Sequence, residues 1–273
     1  MVYISFDLSK YKGLIFDMDG VLWNGKRVII GAPLILKTLR EKGYKVSFAS
    51  NSSGRSLESC YNKAKKLGFN INKEEIFIAS REICSTLKNQ LGAGAKIYLI
   101  GSSGLKEEVL NADLNIVNNS YENVGVDAVL VGWDNDFNSD KLRISLKLIL
   151  DGAKLAVVNR DATTPGEDGL RPATGSIVAA VERMIGREAD FMIGKPEVTL
   201  LEKANKKMGT SKEEIAIIGD TPDTDILAGN RYGIDTFLVL SGNTSRKDID
   251  KIDKDKIKPN YIIKSVNSLL RSD

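Results

Sequence analysis

Residues 13 to 25 read Gly-Leu-Ile-Phe-Asp-Met-Asp-Gly-Val-Leu-Trp-Asn-Gly, an apolar run followed at once by two acids at spacing i, i+2 and a glycine. The apolar run, Gly13 to Phe16, is short enough for a buried strand. It would deliver Asp17 and Asp19 to the strand's carboxyl end, the edge where open α/β sheets gather their ligands. One carboxylate there could attack an electrophile, and the other could give and take a proton. Together they could hold a divalent cation through hard oxygen ligands. The same Asp-Gly pair also serves simply to turn a chain after a strand, so the motif alone leaves both readings open.

Outward from this stretch, short β-branched or apolar runs alternate with amphipathic ones, the pattern of a parallel sheet covered by helices. Strands are expected at Leu14–Phe16, Lys45–Ala49, Lys96–Ile100, Ala128–Val131, Leu155–Val158, Phe191–Ile193, Ile215–Ile218 and Thr236–Leu240. Helices are expected at Pro33–Lys42, Leu57–Leu67, Ser139–Leu150, Gly175–Ile185, Pro196–Met208 and Pro222–Arg231, several opened by proline or closed by glycine. No Gly/Ser/Pro-rich linker interrupts the chain, so a second domain would have to be inserted through short hinges.

Composition narrows the chemistry. The 273 residues carry 39 Lys plus Arg against 36 Asp plus Glu, a net charge of +3. Two large, interspersed charge populations argue against a nucleic-acid partner. No histidine is present, which removes Ser-His-Asp and Cys-His pairs, His-based zinc sites and imidazole shuttles. Cys60 and Cys84 lie 24 residues apart and read as buried apolar groups in a reducing compartment. With no basic and apolar leader and no long apolar run, the expectation is a cytoplasmic protein without membrane contact. The alternating charge run Ser245–Pro259 reads as a solvated face.

Three further polar clusters each follow an apolar strand. Ser50-Asn51-Ser52-Ser53-Gly54 offers hydroxyls, an amide and backbone N–H groups that could cradle phosphate oxygens, or could merely cap a helix. Lys195, in Gly194-Lys195-Pro196, could neutralise a phosphate or an attacking carboxylate, or sit solvated at the surface. Asp220, Asp223 and Asp225 put three acids into one strand-to-helix turn, which favours a compensating cation although acids also suit a helix start. As a set, the four clusters supply the parts of metal-assisted phosphoryl transfer without histidine.

The order DxDG, Ser-Asn, Gly-Lys-Pro, GDxxxTD resembles the four motifs of the haloacid dehalogenase superfamily. The details are similar to its NagD-like, p-nitrophenylphosphatase-like branch: DMDGVLWNG at 17–25, ASNSSGRS at 49–56, NRDATTPGEDGLRPATGSIVAAVE at 159–182, IGKPEVTLLEKA at 193–204, GDTPDTDILAGNRYG at 219–233 and LVLSGNT at 238–244. The resemblance implies a Rossmann-like, doubly wound parallel-sheet core over residues 1–82 and 184–273, with an α/β cap domain inserted at 83–183 above the sheet's carboxyl edge. It implies that Asp17 is a nucleophile forming an aspartyl-phosphate and that Asp19 is general acid, then base. Ser50 would bind the phosphoryl group with Asn51 and Ser52, and Lys195 would steady Asp17. Mg²⁺ would sit on Asp17, Asp220 and the backbone carbonyl of Asp19, with Asp225 supporting the metal shell. Asn159 and Asp161, with Arg160 between them, are the expected contacts to the substrate beyond its phosphate.

The implied activity is hydrolysis of a small phosphorylated metabolite, with p-nitrophenyl phosphate as an artificial substrate and a homodimer through the cap allowed by the branch's habits. A phosphomutase, or a phosphate-binding regulatory module without turnover, are the alternatives. Two departures stand out: Ser50 where relatives have Thr, and Thr221-Pro222 where an arginine and an apolar residue are usual.

Overall fold

The computed structural model describes residues 6–119, 121–122, 124–166, 169–253 and 255–270. Glu167 and Asp168 of the quoted 159–182 stretch, and Lys254 of the charge run, lie outside the described residues. The chain forms two compact units, one of residues 1–50, 61–77 and 195–273, the other of 51–60 and 78–194.

The first unit is built on a six-stranded sheet in the order Tyr261–Ile263, Asp235–Val239, Ile215–Gly219, Gly13–Phe16, Lys45–Ser50, Ile76–Ile78. The central pairings, from Tyr261–Ile263 across to Lys45–Ser50, are all parallel. Leu14, Ile15 and Phe16 are fully buried, which is why this strand reads as a continuous apolar run rather than an alternating one. Helices Ala32–Glu41 and Thr199–Met208 both pack against the Lys45–Ser50 strand, and Leu227–Tyr232 packs against Asp235–Val239. From Gly13–Phe16 the chain builds outward on one side through Lys45–Ser50 and later on the other through Ile215–Gly219. The sheet's topological switch therefore falls at the end of the first strand, where α/β folds of this kind place their ligands.

The second unit carries a five-stranded parallel sheet in the order Phe191–Met192, Lys154–Val157, Ala128–Val131, Lys96–Ile100, Asn115–Ile116. Its apolar core gathers Ile100, Val129, Val131, Leu155 and Val157 with Ile177, Val178 and Val181 of the Thr174–Ile185 helix. The units divide at other points than the 82/83 and 183/184 bounds expected. A bound at 82/83 would cut the helix Ala79–Leu91, whose buried Ala79, Ile83 and Leu87 lie on both sides of it. Phe191–Met192, expected in the core, pairs with Lys154–Val157 of the second sheet. Residues 51–60 also belong to the second unit, so the Ser-Asn motif is divided between Ser50 and Asn51.

The expected helix Pro222–Arg231 is two elements, a wide π turn at Pro222–Ile226 followed by the α-helix Leu227–Tyr232. Asp225 lies in the π turn, where its carboxylate accepts from the backbone N–H groups of Asp220 and Thr221, both at 3.1 Å. Among the described residues no helix is long and apolar enough to cross a membrane.

Candidate active site

At the switch point of the first unit, Asp17 follows Phe16 directly and its N–H donates to Ile218 O at 2.9 Å, which ties it to the neighbouring strand. Ser50 ends the strand on the other side, and Asp220 follows Gly219. Parallel register thus brings motifs 33 to 203 residues apart in sequence to adjacent strand ends.

Lys195 is buried, not solvated. Its Nζ donates to Asp17 Oδ1 at 2.5 Å, to Asp225 Oδ1 at 2.5 Å and to the carbonyl of Ala49 at 2.8 Å. Burial by itself would lower the lysine's pKa, yet the Asp17 and Asp225 carboxylates outweigh it and raise it above the ordinary value. Asp17 is pushed well above the usual carboxylate range by burial, an effect that the Lys195 charge opposes and that Asp225 and Asp220 reinforce. Burial, with repulsion from Asp225, likewise pushes Asp220 up to about 7.

Asp17, Asp220 and Asp225 are all buried, with one carboxylate oxygen from each lying within 4.8 Å of the others. With all three carboxylates ionised, one ammonium would leave two negative charges uncompensated in a desolvated site, a costly arrangement unless a cation joins it. A donor set of hard carboxylate oxygens fits a divalent ion such as Mg²⁺. The residues present therefore fit the expected metal, with Asp225 engaged by Lys195 and by two backbone N–H groups and so placed to support the cluster.

Several residues in this cluster were not given roles by sequence reasoning. Asn243 N–H donates to Asp220 Oδ2 at 2.6 Å, and the Thr221 hydroxyl donates to Asp220 Oδ1 at 3.1 Å. Asn243 Nδ2 in turn donates to Thr221 Oγ1 at 3.0 Å. Thr221 thus answers its departure from the usual arginine with a hydroxyl that orients Asp220. Gly20 and Gly242 close over the same carboxylate, since a Cβ at either would fall 2.0 Å from Asp220 Oδ2. The quoted LVLSGNT string was the signal for Gly242 and Asn243. Asp19, with its side chain 52% exposed, accepts from Trp23 Nε1 at 2.8 Å and Lys63 Nζ at 3.0 Å.

The remaining expected residues lie in the second unit. Asn51 Nδ2 donates to Asp161 Oδ1 and Oδ2 at 3.1 and 3.2 Å, and Asn159 Nδ2 donates to Asn51 O at 2.5 Å. Asn159 Oδ1 accepts the Asp161 N–H at 3.1 Å, so this buried amide braces the loop at both ends. Ser52 O accepts the N–H of Ser80 at 3.1 Å. Arg160 is ion-paired with Glu182 at 2.6 Å and Glu188 at 3.3 Å.

A doubly wound sheet thus carries clustered carboxylates and a buried lysine at its switch point, the edge where such folds bind ligands. Sequence models of the haloacid dehalogenase-like hydrolases match residues 14–115 and, for a second HAD-hydrolase-like model, 192–269. The chain is 30% identical to the acid sugar phosphatase of Staphylococcus aureus, over 96% of this chain and 98% of that protein. The structure is similar to a p-nitrophenyl phosphatase from Archaeoglobus fulgidus, with TM-score 0.86, 32% identity, and 94% and 97% of the two chains covered. It is also similar to a Mycobacterium tuberculosis glycerol phosphate phosphatase solved with magnesium, with TM-score 0.84, 28% identity, and 96% and 77% covered. The chain belongs to the haloacid dehalogenase-like hydrolase family, as its four motifs implied.

Proposed function

We propose that this protein is a Mg²⁺-dependent phosphatase that hydrolyses phosphomonoesters of small metabolites by phosphoryl transfer to Asp17. The observation that carries the reading is the buried Lys195 ammonium, bonded to Asp17 and Asp225 beside Asp220 at the switch point of the sheet. The relatives' names support the substrate class. Asp17, Asp220 and the Asp19 carbonyl would hold Mg²⁺, whose charge would offset that of the phosphoryl oxygens.

Lys195 holds the Asp17 carboxylate in one orientation, so attack on phosphorus loses little orientational entropy. Ser50 offers its hydroxyl to the phosphoryl group from the adjacent strand end. As the Asp17 oxygen bonds to phosphorus and the ester P–O bond breaks, Asp19 delivers a proton to the departing oxygen. Asp19 then takes a proton from the water that attacks the aspartyl-phosphate, which returns Asp17 and releases phosphate. A loose transfer of this kind depends mainly on placement and charge, which the cluster supplies.

The test is hydrolysis of p-nitrophenyl phosphate and a panel of metabolite phosphates with Mg²⁺, with EDTA, and by Asp17→Asn and Asp19→Asn. Metal-dependent release abolished by Asp17→Asn, with phosphate trapped on Asp17 in the parent, is the expected result. A folded, metal-loaded protein that hydrolyses nothing on the panel would leave phosphate binding without turnover as the better reading.

A further inference from the structure

We propose that Lys63 and Trp23 are positioning residues for Asp19, holding its carboxylate in the one orientation from which it serves the leaving group. The inference rests on the general-acid role assigned to Asp19 above.

An exposed aspartate ordinarily samples several orientations, but Asp19 meets two donors at one atom. Trp23 Nε1 lies 2.8 Å and Lys63 Nζ 3.0 Å from the same Oδ1. The two donors also support each other, because the Lys63 ammonium sits 4.6 Å from the centre of the Trp23 ring. Their base is rigid. Trp23 is 1% exposed and packs edge-on against Phe69 with ring centres 5.4 Å apart. The turn that returns Trp23 to Asp19 is closed by Gly20 N–H donating to Trp23 O at 2.6 Å and by Leu22 N–H donating to Met18 O at 2.9 Å. Lys63 projects from the helix Leu57–Lys66 with its side chain only 18% exposed, a burial that lysine accepts when it has such partners.

With Oδ1 held by two donors, the carboxylate keeps one orientation, and the proton passes from Asp19 to the ester oxygen as the P–O bond breaks and the Asp17–phosphorus bond forms.

This role has a signature that general destabilisation lacks. An alkyl leaving group needs the proton, whereas p-nitrophenolate departs without it, and kcat/KM reports only the steps through that departure. Lys63→Ala should lower kcat/KM for an alkyl phosphate such as glycerol phosphate by about 10- to 100-fold, a part of what general acid catalysis contributes. For p-nitrophenyl phosphate the fall should be several-fold smaller. Trp23→Phe, which keeps a ring and removes the donor, should show the same direction. Lys63→Arg should recover most of the alkyl activity, because a guanidinium can both donate to Oδ1 and lie over the indole; it also keeps the test open if Lys63→Ala does not fold.

Equal losses on both substrates, or none on either, would overturn the assignment. If Asp19→Asn loses the alkyl substrate selectively while Lys63→Ala does not, the positioning role fails and the phosphatase reading stands. A parent enzyme inactive on both substrates overturns both.

Discussion

Gly20 should be irreplaceable in a way that Gly25, five residues on, is not. Both have positive φ, +85° and +59°, so alanine at either pays the same kind of left-handed penalty, about 1–2 kcal/mol. Beyond that the two sites differ. A Cβ on Gly25 would meet nothing within 4 Å, whereas one on Gly20 would fall 2.0 Å from Asp220 Oδ2 and 3.1 Å from the Gly242 Cα. Asp220 cannot swing away cheaply, because it is buried and its two oxygens accept from Asn243 N–H and the Thr221 hydroxyl. Overpacking at such a site costs about 1–3 kcal/mol, and a lost hydrogen bond to a charged group about 1.5–3 kcal/mol. Gly20→Ala should therefore lose roughly 3.5–8 kcal/mol in urea unfolding, against about 1–2 kcal/mol for Gly25→Ala. Because Asp220 is proposed to hold Mg²⁺, the concentration for half-maximal activity should also rise at least about tenfold for Gly20→Ala, equivalent to about 1.4 kcal/mol, and stay near the parent's for Gly25→Ala. Equal unfolding losses and equal Mg²⁺ requirements for the two variants would refute the packing argument.

Other consequences follow from the same geometry. Lys195→Met leaves Asp17 and Asp225 buried without their shared cation and should cost about 3–5 kcal/mol in chemical unfolding at neutral pH; Lys195→Arg should not rescue activity, since the three acceptors at 2.5, 2.5 and 2.8 Å enclose a single ammonium. A loss below about 1 kcal/mol for Lys195→Met would count against this reading. Glu108 is buried and its carboxylate, which accepts the Leu57 N–H at 2.6 Å, has a pKa raised chiefly by burial. With the folded pKa above the unfolded one, the protonated form is favoured by folding, and stability falls as pH rises from the ordinary 4.5 through the folded value. Glu108→Gln keeps the acceptor and should gain stability over the parent at pH 7.5 but much less at pH 4, measured by urea midpoints; an equal difference at both would sink the assignment. Cys60 and Cys84 are buried, and burial also pushes the Cys84 thiol up, so neither should react with a thiol reagent until the protein unfolds. Stoichiometric labelling of the native protein would contradict this.

Much of the fold was legible because parallel strands buried on both faces leave a plain trace. Lys96–Ile100, Ala128–Val131 and the helix Ser139–Leu150 fall where expected, to the residue. Elements without that trace were missed. Ile76–Ile78, Asn115–Ile116 and Tyr261–Ile263 are edge strands of two or three residues, too short for periodicity to register. The Pro222–Arg231 stretch carries a helical pattern, but the hydrogen bonds that Asp225 draws from Asp220 and Thr221 accompany a π turn there instead. The division at Ser50 and Asn51 had no signal in composition, because residues 51–60 join the second unit through contacts with segments far along the chain. Thr174 Oγ1, for instance, donates to Ser53 Oγ at 2.6 Å.

The chain's own order of residues determined the chemistry available: no histidine, acids after the first and a later strand, a hydroxyl after the second, and Lys195 between a glycine and a proline. These are local facts, because a strand's carboxyl end presents whatever residues come next. Tertiary structure alone decided that Lys195 is buried among Asp17, Asp225 and Ala49 rather than solvated, and that Asn243, Thr221, Trp23 and Lys63 hold the acids in place. The reason is that charge compensation and hydrogen-bond direction depend on distances of 2.5–3.1 Å across strands and turns. Such distances are set when the sheet closes, by packing that no single stretch of sequence contains.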